Sequence, residues 1–145
     1  MGRDGGSGVV DPQAVHWASR RARSIAEQLQ ADAARIAELS EVGWRSVDAD
    51  RWRHELEDTV EAIRRDAHRA FELADTLREH GLAVERTLAT ITAARDGFLS
   101  ALDDARRVLA NASGEVSAAA VEQARRVVDR ATRMPGPGSM DWLRF

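Results

Sequence analysis

The sequence predicts an all-α fold, specifically a long antiparallel helical hairpin with an additional short C-terminal helix, coiled-coil-like and assembled as a dimeric bundle. Apolar or small residues recur at steps of three and four over most of the 145 residues, the spacing that keeps side chains on one helix face. No stretch of useful length shows the apolar–polar alternation of a strand. The length suits one domain.

The first helix is predicted over residues 12–41. Asp11 can accept hydrogen bonds from the first free backbone N–H groups, and Pro12 suits the first helical position. Gly43 is expected to end the helix. The predicted seam follows the apolar and small residues Val15, Ala18, Ala22, Ile25, Leu29, Ala33, Ile36 and Leu39.

The second helix is predicted over residues 48–112, with Ser46 or Asp48 as its N-cap. Its apolar stripe keeps the same phase on both sides of Gly81, and a turn that redirected the chain would have no reason to preserve that phase. We therefore expect one helix of roughly 97 Å. The alternative is a sharp turn at Gly81, which would give a monomeric four-helix bundle.

A last short helix is predicted over 117–132, starting at Ser117 and ending before Pro135-Gly136-Pro137-Gly138. Residues 1–10 are expected to form a flexible leader, and residues 134–145 a Pro/Gly linker with an aromatic tail. Three large apolar residues in this tail must either fold back onto the bundle or dock in a partner's groove. They are Trp142, Leu143 and Phe145.

The long stripe predicts a second chain. The first helix, about 45 Å long, can cover residues 48–78, whereas the last helix offers only roughly 24 Å of cover for residues 82–112. We therefore expect part of the stripe, around Val84, Leu88 and Ile91, to contact a partner. Trp17, about a third of a turn from the stripe of its own helix, is a further candidate anchor, unless residues of the leader cover it.

The composition argues against several function classes. All 21 basic residues are arginine and are outnumbered by 24 acidic residues, so the chain has no net positive field for nucleic acid. The absence of cysteine excludes a thiolate metal site, and no run is long enough for a membrane span. His54 with Asp58 and His68 with Glu72 lack the Glu-x-x-His spacing of di-iron bundles. We expect no enzyme activity, no cofactor and no metal site.

The segment between the first two helices contains Trp44-Arg45-Ser46, followed by Ala49 and Trp52. It resembles the tryptophan-x-glycine turn of the WXG family, small helical-hairpin proteins of the type VII (ESX) secretion system in actinobacteria and firmicutes, with Ser46 in the place of glycine. The resemblance covers about residues 12–85. The tyrosine-based export signal of that family is absent, because the chain has no tyrosine.

The resemblance implies a non-enzymatic secretion-associated protein that acts through helix–helix association, as a secreted substrate or as a partner of one. It implies a homodimer or a heterodimer with a similar hairpin, a secretion ATPase as a further contact, and Trp44 and Ser46 as part of the binding surface. Localisation would be outside the cell by a route without a signal peptide, or cytoplasmic before export. The alternative is an intracellular coiled-coil adaptor or chaperone unrelated to secretion.

Overall fold

The structure is a computed structural model that describes residues 11–41, 43, 45–112, 114 and 116–145. The predictions for residues 1–10 and for Trp44 lie outside these residues. Within them the protein is all-helical, with three α-helices and no strand, so the all-α part of the predicted fold class is confirmed, while the dimeric bundle stays a prediction. The helices are α1 (Pro12–Leu39), α2 (Val47–Ala110) and α3 (Ala118–Ala131). A short 3-10 helix, Met140–Leu143, follows in the tail.

The helix starts follow from side-chain capping. The Asp11 carboxylate accepts a hydrogen bond from the backbone N–H of Gln13 at 2.9 Å, with Pro12 next to it. The Ser46 hydroxyl accepts from the N–H of Ala49 at 3.0 Å and starts α2. Each cap provides an acceptor for an N–H group that has no partner within the helix.

The first helix ends earlier than the sequence predicts. Its C-cap is Ser40, whose hydroxyl donates to the carbonyl oxygen of Ala37 at 2.6 Å. The helix therefore ends before it reaches Gly43, and the glycine lies beyond the cap.

The second helix is continuous through Gly81, as the uninterrupted phase of its stripe predicts. The chain divides into two compact units, and the boundary between them falls inside α2. One unit spans Val10–Val84 and contains α1 and the first part of α2. The other contains Glu85–Phe145, with the rest of α2, α3 and the tail.

Candidate interaction surface of the helix pair

We use the term helix pair for α1 and residues 47–84 of α2. The Ser19 hydroxyl donates to the carbonyl oxygen of Ala74 at 2.7 Å, and Arg23 forms a 2.6 Å ion pair with Asp75. Nearer the connecting turn, Ala37 and Leu56 line one depression. Early residues of α1 therefore lie beside late residues of this part of α2, so the two segments run antiparallel.

Small residues form the seam of the helix pair. The buried residues of α1 are Ser19, Ala22, Ala26 and Ala33. Those of α2 in this unit are Ala49, Val60, Ala67, Ala74 and Gly81. Short side chains let the helix axes approach closely, close enough here for a serine hydroxyl to reach the backbone of the other helix.

This seam corrects the predicted one in α1. The prediction placed Ile25 and Leu39 in the seam, but they are 42% and 50% exposed. The structure turns α1 so that the smallest residues face α2, which leaves the larger apolar side chains at the flank. Close packing of the backbones favours that choice, because a seam of isoleucine and leucine would hold the helices further apart.

Gly81 is part of the close contact and not a break in α2. A Cβ atom added at Gly81 would lie 2.7 Å from Cε1 and 2.9 Å from Nδ1 of His16. Ordinary carbon–carbon contacts are about 3.5–4.0 Å. The imidazole ring of α1 therefore packs in the space that a side chain at position 81 would occupy.

One side of the helix pair is polar. Arg23 forms its ion pair with Asp75 there, and its guanidinium lies 5.8 Å from the centroid of the Phe71 ring. Counted at 100° per residue, these positions lie on the same rotational side of the seam in both helices. When two helices run antiparallel, residues rotated from the seam in the same sense about their own helix axes lie on the same side of the pair. The ion pair between Arg23 and Asp75 is consistent with this geometry.

The opposite side of the helix pair is apolar. In α1, Ile25, Leu29 and Ile36 lie about 70° from the seam in the other rotational sense. In α2, the residues displaced in that same sense are Trp52, Leu56, Ile63, Leu73 and Leu77. Ile25 and Leu73 are among the exposed large apolar residues, and Leu29, Ile36, Leu56, Ile63 and Leu77 are half-buried. We name these eight residues the apolar flank.

Among the other predicted contact residues of this unit, Ser46 is the N-cap of α2. Val84 is half-buried. Trp17 is 62% exposed and lies about 100° from the flank residues of α1, so it is not part of the apolar flank. Trp52 is 38% exposed at the flank.

In the unit containing Glu85–Phe145, the chain covers more of the stripe than the sequence predicts. Ile91 is 2% exposed, so its side chain is buried within its own chain and offers no free surface to a partner. Leu88 is half-buried. The expectation that Ile91 is left uncovered for a partner is therefore corrected, because helix lengths alone do not show which side chains of the stripe the chain covers.

The tail packs against α2. Trp142 is 3% exposed, its ring centroid lies 6.0 Å from that of Phe98, and its Nε1 donates to the carbonyl oxygen of Gly136 at 3.0 Å. Phe145 packs edge-on against Phe98 at 4.8 Å between centroids. The sequence left two alternatives for the tail, folding back onto the bundle or docking in a partner's groove. In the structure Trp142 and Phe145 fold back onto α2. Leu143 remains 46% exposed.

His54 and His68 lie on the exposed surface of α2. Nδ1 of His54 lies 2.8 Å from the carbonyl oxygen of Asp50, and this hydrogen bond, with the nearby carboxylate of Glu57, raises the pKa of His54 above its usual value. His68 lies 3.3 Å from the Glu72 carboxylate, with both side chains exposed. Within the described ranges no three His, Asp or Glu side chains are grouped closely enough to hold a metal ion.

Sequence reasoning missed two features: the hydrogen bond from Ser19 across the seam and the role of Phe98 as the support for the tail. The signal for the first was available, because Ser19, Ala22, Ala26 and Ala33 form a small-residue line with helical spacing. For the second no local signal exists, because nothing in the sequence pairs Phe98 with Trp142, which is 44 residues away.

No helix within the described part of the chain combines the length and apolar character that a membrane span requires. No protein-family model, curated protein or solved structure matches this chain.

Proposed function

We propose that this protein functions without enzymatic activity, through helix–helix association on the apolar flank. The supporting observation is that both helices of the pair present large apolar side chains on the same side, opposite Arg23 and Asp75. Exposed, contiguous apolar surface with polar surroundings is typical of protein–protein contact sites. The helix pair is then one half of a four-helix arrangement, and a second helical hairpin completes it.

In this proposal the chain is a type VII secretion-associated protein of the WXG kind, either a secreted substrate or the partner of one. Support comes from Trp44-Arg45-Ser46 between two antiparallel helical segments and from Ser46, which caps α2 from the position where the family has glycine. The occupant of the apolar flank is a similar hairpin, from a second copy or from a sister protein. A secretion ATPase is a further partner. The protein is cytoplasmic before export and leaves by a route without a signal peptide.

The association is tested by light scattering after size exclusion, on the protein alone and co-expressed with a hairpin protein encoded beside it. The Ile25→Glu/Leu73→Glu variant places two charges in the apolar flank and should abolish the complex. Ala34→Glu is the matched control, since this exposed residue of α1 lies on the polar side of the pair. Circular dichroism should show helix in all three proteins.

Two results contradict the proposal. One is a wild-type protein that stays monomeric at micromolar concentration and does not bind the neighbouring hairpin. The other is a complex that survives the two flank charges.

The link to secretion is tested separately, by measuring the protein in the culture medium of strains with and without an active type VII ATPase. If the protein associates with a hairpin but neither protein depends on that ATPase for export, the adaptor or chaperone reading replaces the secretion reading.

A further inference from the structure

The end of α3 and the tail form a shallow pocket of about 380 Å³. Four arginine side chains and one aromatic ring line it: Arg126, Arg130, Arg133, Arg144 and Phe145. All of them belong to the unit that contains Glu85–Phe145. The pocket lies in a different unit from the apolar flank and does not depend on the function proposed above.

The arginines converge because of helical spacing and because the tail folds back. Arg126, Arg130 and Arg133 are four and three residues apart, so they project from one face of α3 and its last turn. The tail residues on each side of Arg144 are held in place: Trp142 is buried, and Phe145 packs against Phe98.

The positive charges of this pocket are poorly compensated. Arg126 lies 3.5 Å from the Glu122 carboxylate. Among the described residues, no carboxylate forms an ion pair with Arg130, Arg133 or Arg144. Residues 118–145 contain five arginines and three acidic residues, whereas the whole chain is net negative. Like charges one helical turn apart destabilise a helix by a few tenths of a kcal/mol per pair, and a bound anion would remove that repulsion.

Phe145 gives the pocket an apolar wall. The Arg130 guanidinium lies 4.7 Å from the centroid of the Phe145 ring, the geometry of a cation–π contact. This contact orients one planar guanidinium, and the half-buried ring excludes water from one side of the pocket. A hydrogen bond between arginine and an oxyanion is stronger where water is excluded.

We propose that this pocket binds a phosphate-type oxyanion. Guanidinium groups present several N–H donors in a planar fork that matches the oxygens of phosphate. A single carboxylate would neutralise only one of the three arginines that lack an acidic partner, whereas a phosphate group carries up to two charges and offers three or more acceptor oxygens. The phosphate can be free in solution or part of a lipid headgroup.

The test is isothermal titration calorimetry of the full chain with inorganic pyrophosphate at low and at moderate salt. We expect binding that weakens with salt, as for any charge-driven contact. Arg133→Gln and Arg144→Gln should each weaken binding about tenfold or more. Arg125→Gln is the matched control, because it removes the same charge from α3 but Arg125 does not line the pocket. It should change affinity by less than about twofold.

A second arm separates the two sources of phosphate. Vesicles of phosphatidylglycerol are compared with vesicles of phosphatidylcholine in a sedimentation assay. Binding to the anionic vesicles that is lost in Arg133→Gln and Arg144→Gln identifies a lipid headgroup, and binding of pyrophosphate alone identifies a free phosphate compound. The proposal is overturned if neither probe binds, or if Arg125→Gln reduces binding as much as the pocket variants do. Unchanged helical circular dichroism shows that each variant is folded.

Discussion

Replacing Gly81 by alanine gives the sharpest test of the close seam between α1 and α2. In an exposed helical position this change stabilises a protein by about 1 kcal/mol, because glycine loses more backbone freedom on folding. At position 81 the new Cβ would lie 2.7 Å from Cε1 of His16, about 0.8 Å inside an ordinary carbon contact. Inserting a methyl group into filled space costs about 1–3 kcal/mol. We expect Gly81→Ala to be neutral or to destabilise by up to about 2 kcal/mol.

The clash is isolated by a double-mutant cycle with His16→Ala. Once the ring has been removed, Gly81→Ala should stabilise the protein by about 1 kcal/mol, so the coupling between the two sites should be about 1–3 kcal/mol. The other interactions of His16 cancel in the cycle. Free energies of unfolding come from urea titrations followed by circular dichroism at 222 nm.

Gly97→Ala is the matched control in the same helix, because a Cβ at Gly97 would have no neighbour within 4 Å. It should stabilise by about 1 kcal/mol with or without His16. A coupling between Gly81 and His16 below about 0.5 kcal/mol, the usual limit of additivity, would refute the placement of the ring against the glycine.

Three further changes test other parts of the structure. Ser46→Ala should lower the free energy of unfolding by about 1 kcal/mol, whereas Ser46→Gly should lower it by only a few tenths, because glycine is tolerated at an N-cap. Equal decreases for the two variants would count against a capping role. Trp142→Ala should destabilise by about 3–5 kcal/mol and speed amide exchange around Phe98, whereas unchanged exchange there would show that the tail does not pack on α2. In an NMR titration the pKa of His54 should lie above its usual value. The Asp50→Ala variant is the control: it should largely retain the raised pKa, because the principal cause is the hydrogen bond to the backbone carbonyl of residue 50 and not the Asp50 side chain. Any stabilisation by His54 is present at acid pH and is lost as the pH rises through the folded-state pKa; a pKa at or below the usual value would contradict this.

The order and approximate limits of the helices could be predicted because they depend on local signals. Asp11, Ser46 and Ser117 each precede a periodic segment, and each hydroxyl or carboxylate accepts the expected backbone hydrogen bond. The continuity of α2 could be predicted from the phase of its stripe, since that phase depends only on residue spacing.

The rotation of α1 and the position of the tail could not be predicted from these signals. Hydrophobicity favours a seam through Ile25, and the spacing of small residues favours one through Ala22 and Ala26. The axial distance set by the facing residues of α2 decides between them, and the sequence of α1 alone does not contain that distance. Likewise, the contact between Phe98 and Trp142 joins residues distant in sequence. The grouping of Arg130 with Arg144 depends on the same folding back of the tail, so the pocket could not be predicted from residue spacing.

The seam of the helix pair, in which alanine, serine and glycine predominate, also has an entropic consequence. Alanine and glycine have no side-chain rotamers to lose, so closing α1 onto α2 costs the chain almost no side-chain conformational entropy. Ile25 and Leu73, which do have rotamers to lose, remain exposed at the flank. The entropy cost of fixing these side chains, and the free energy gained by removing their apolar surface from water, therefore arise only when a partner covers the flank.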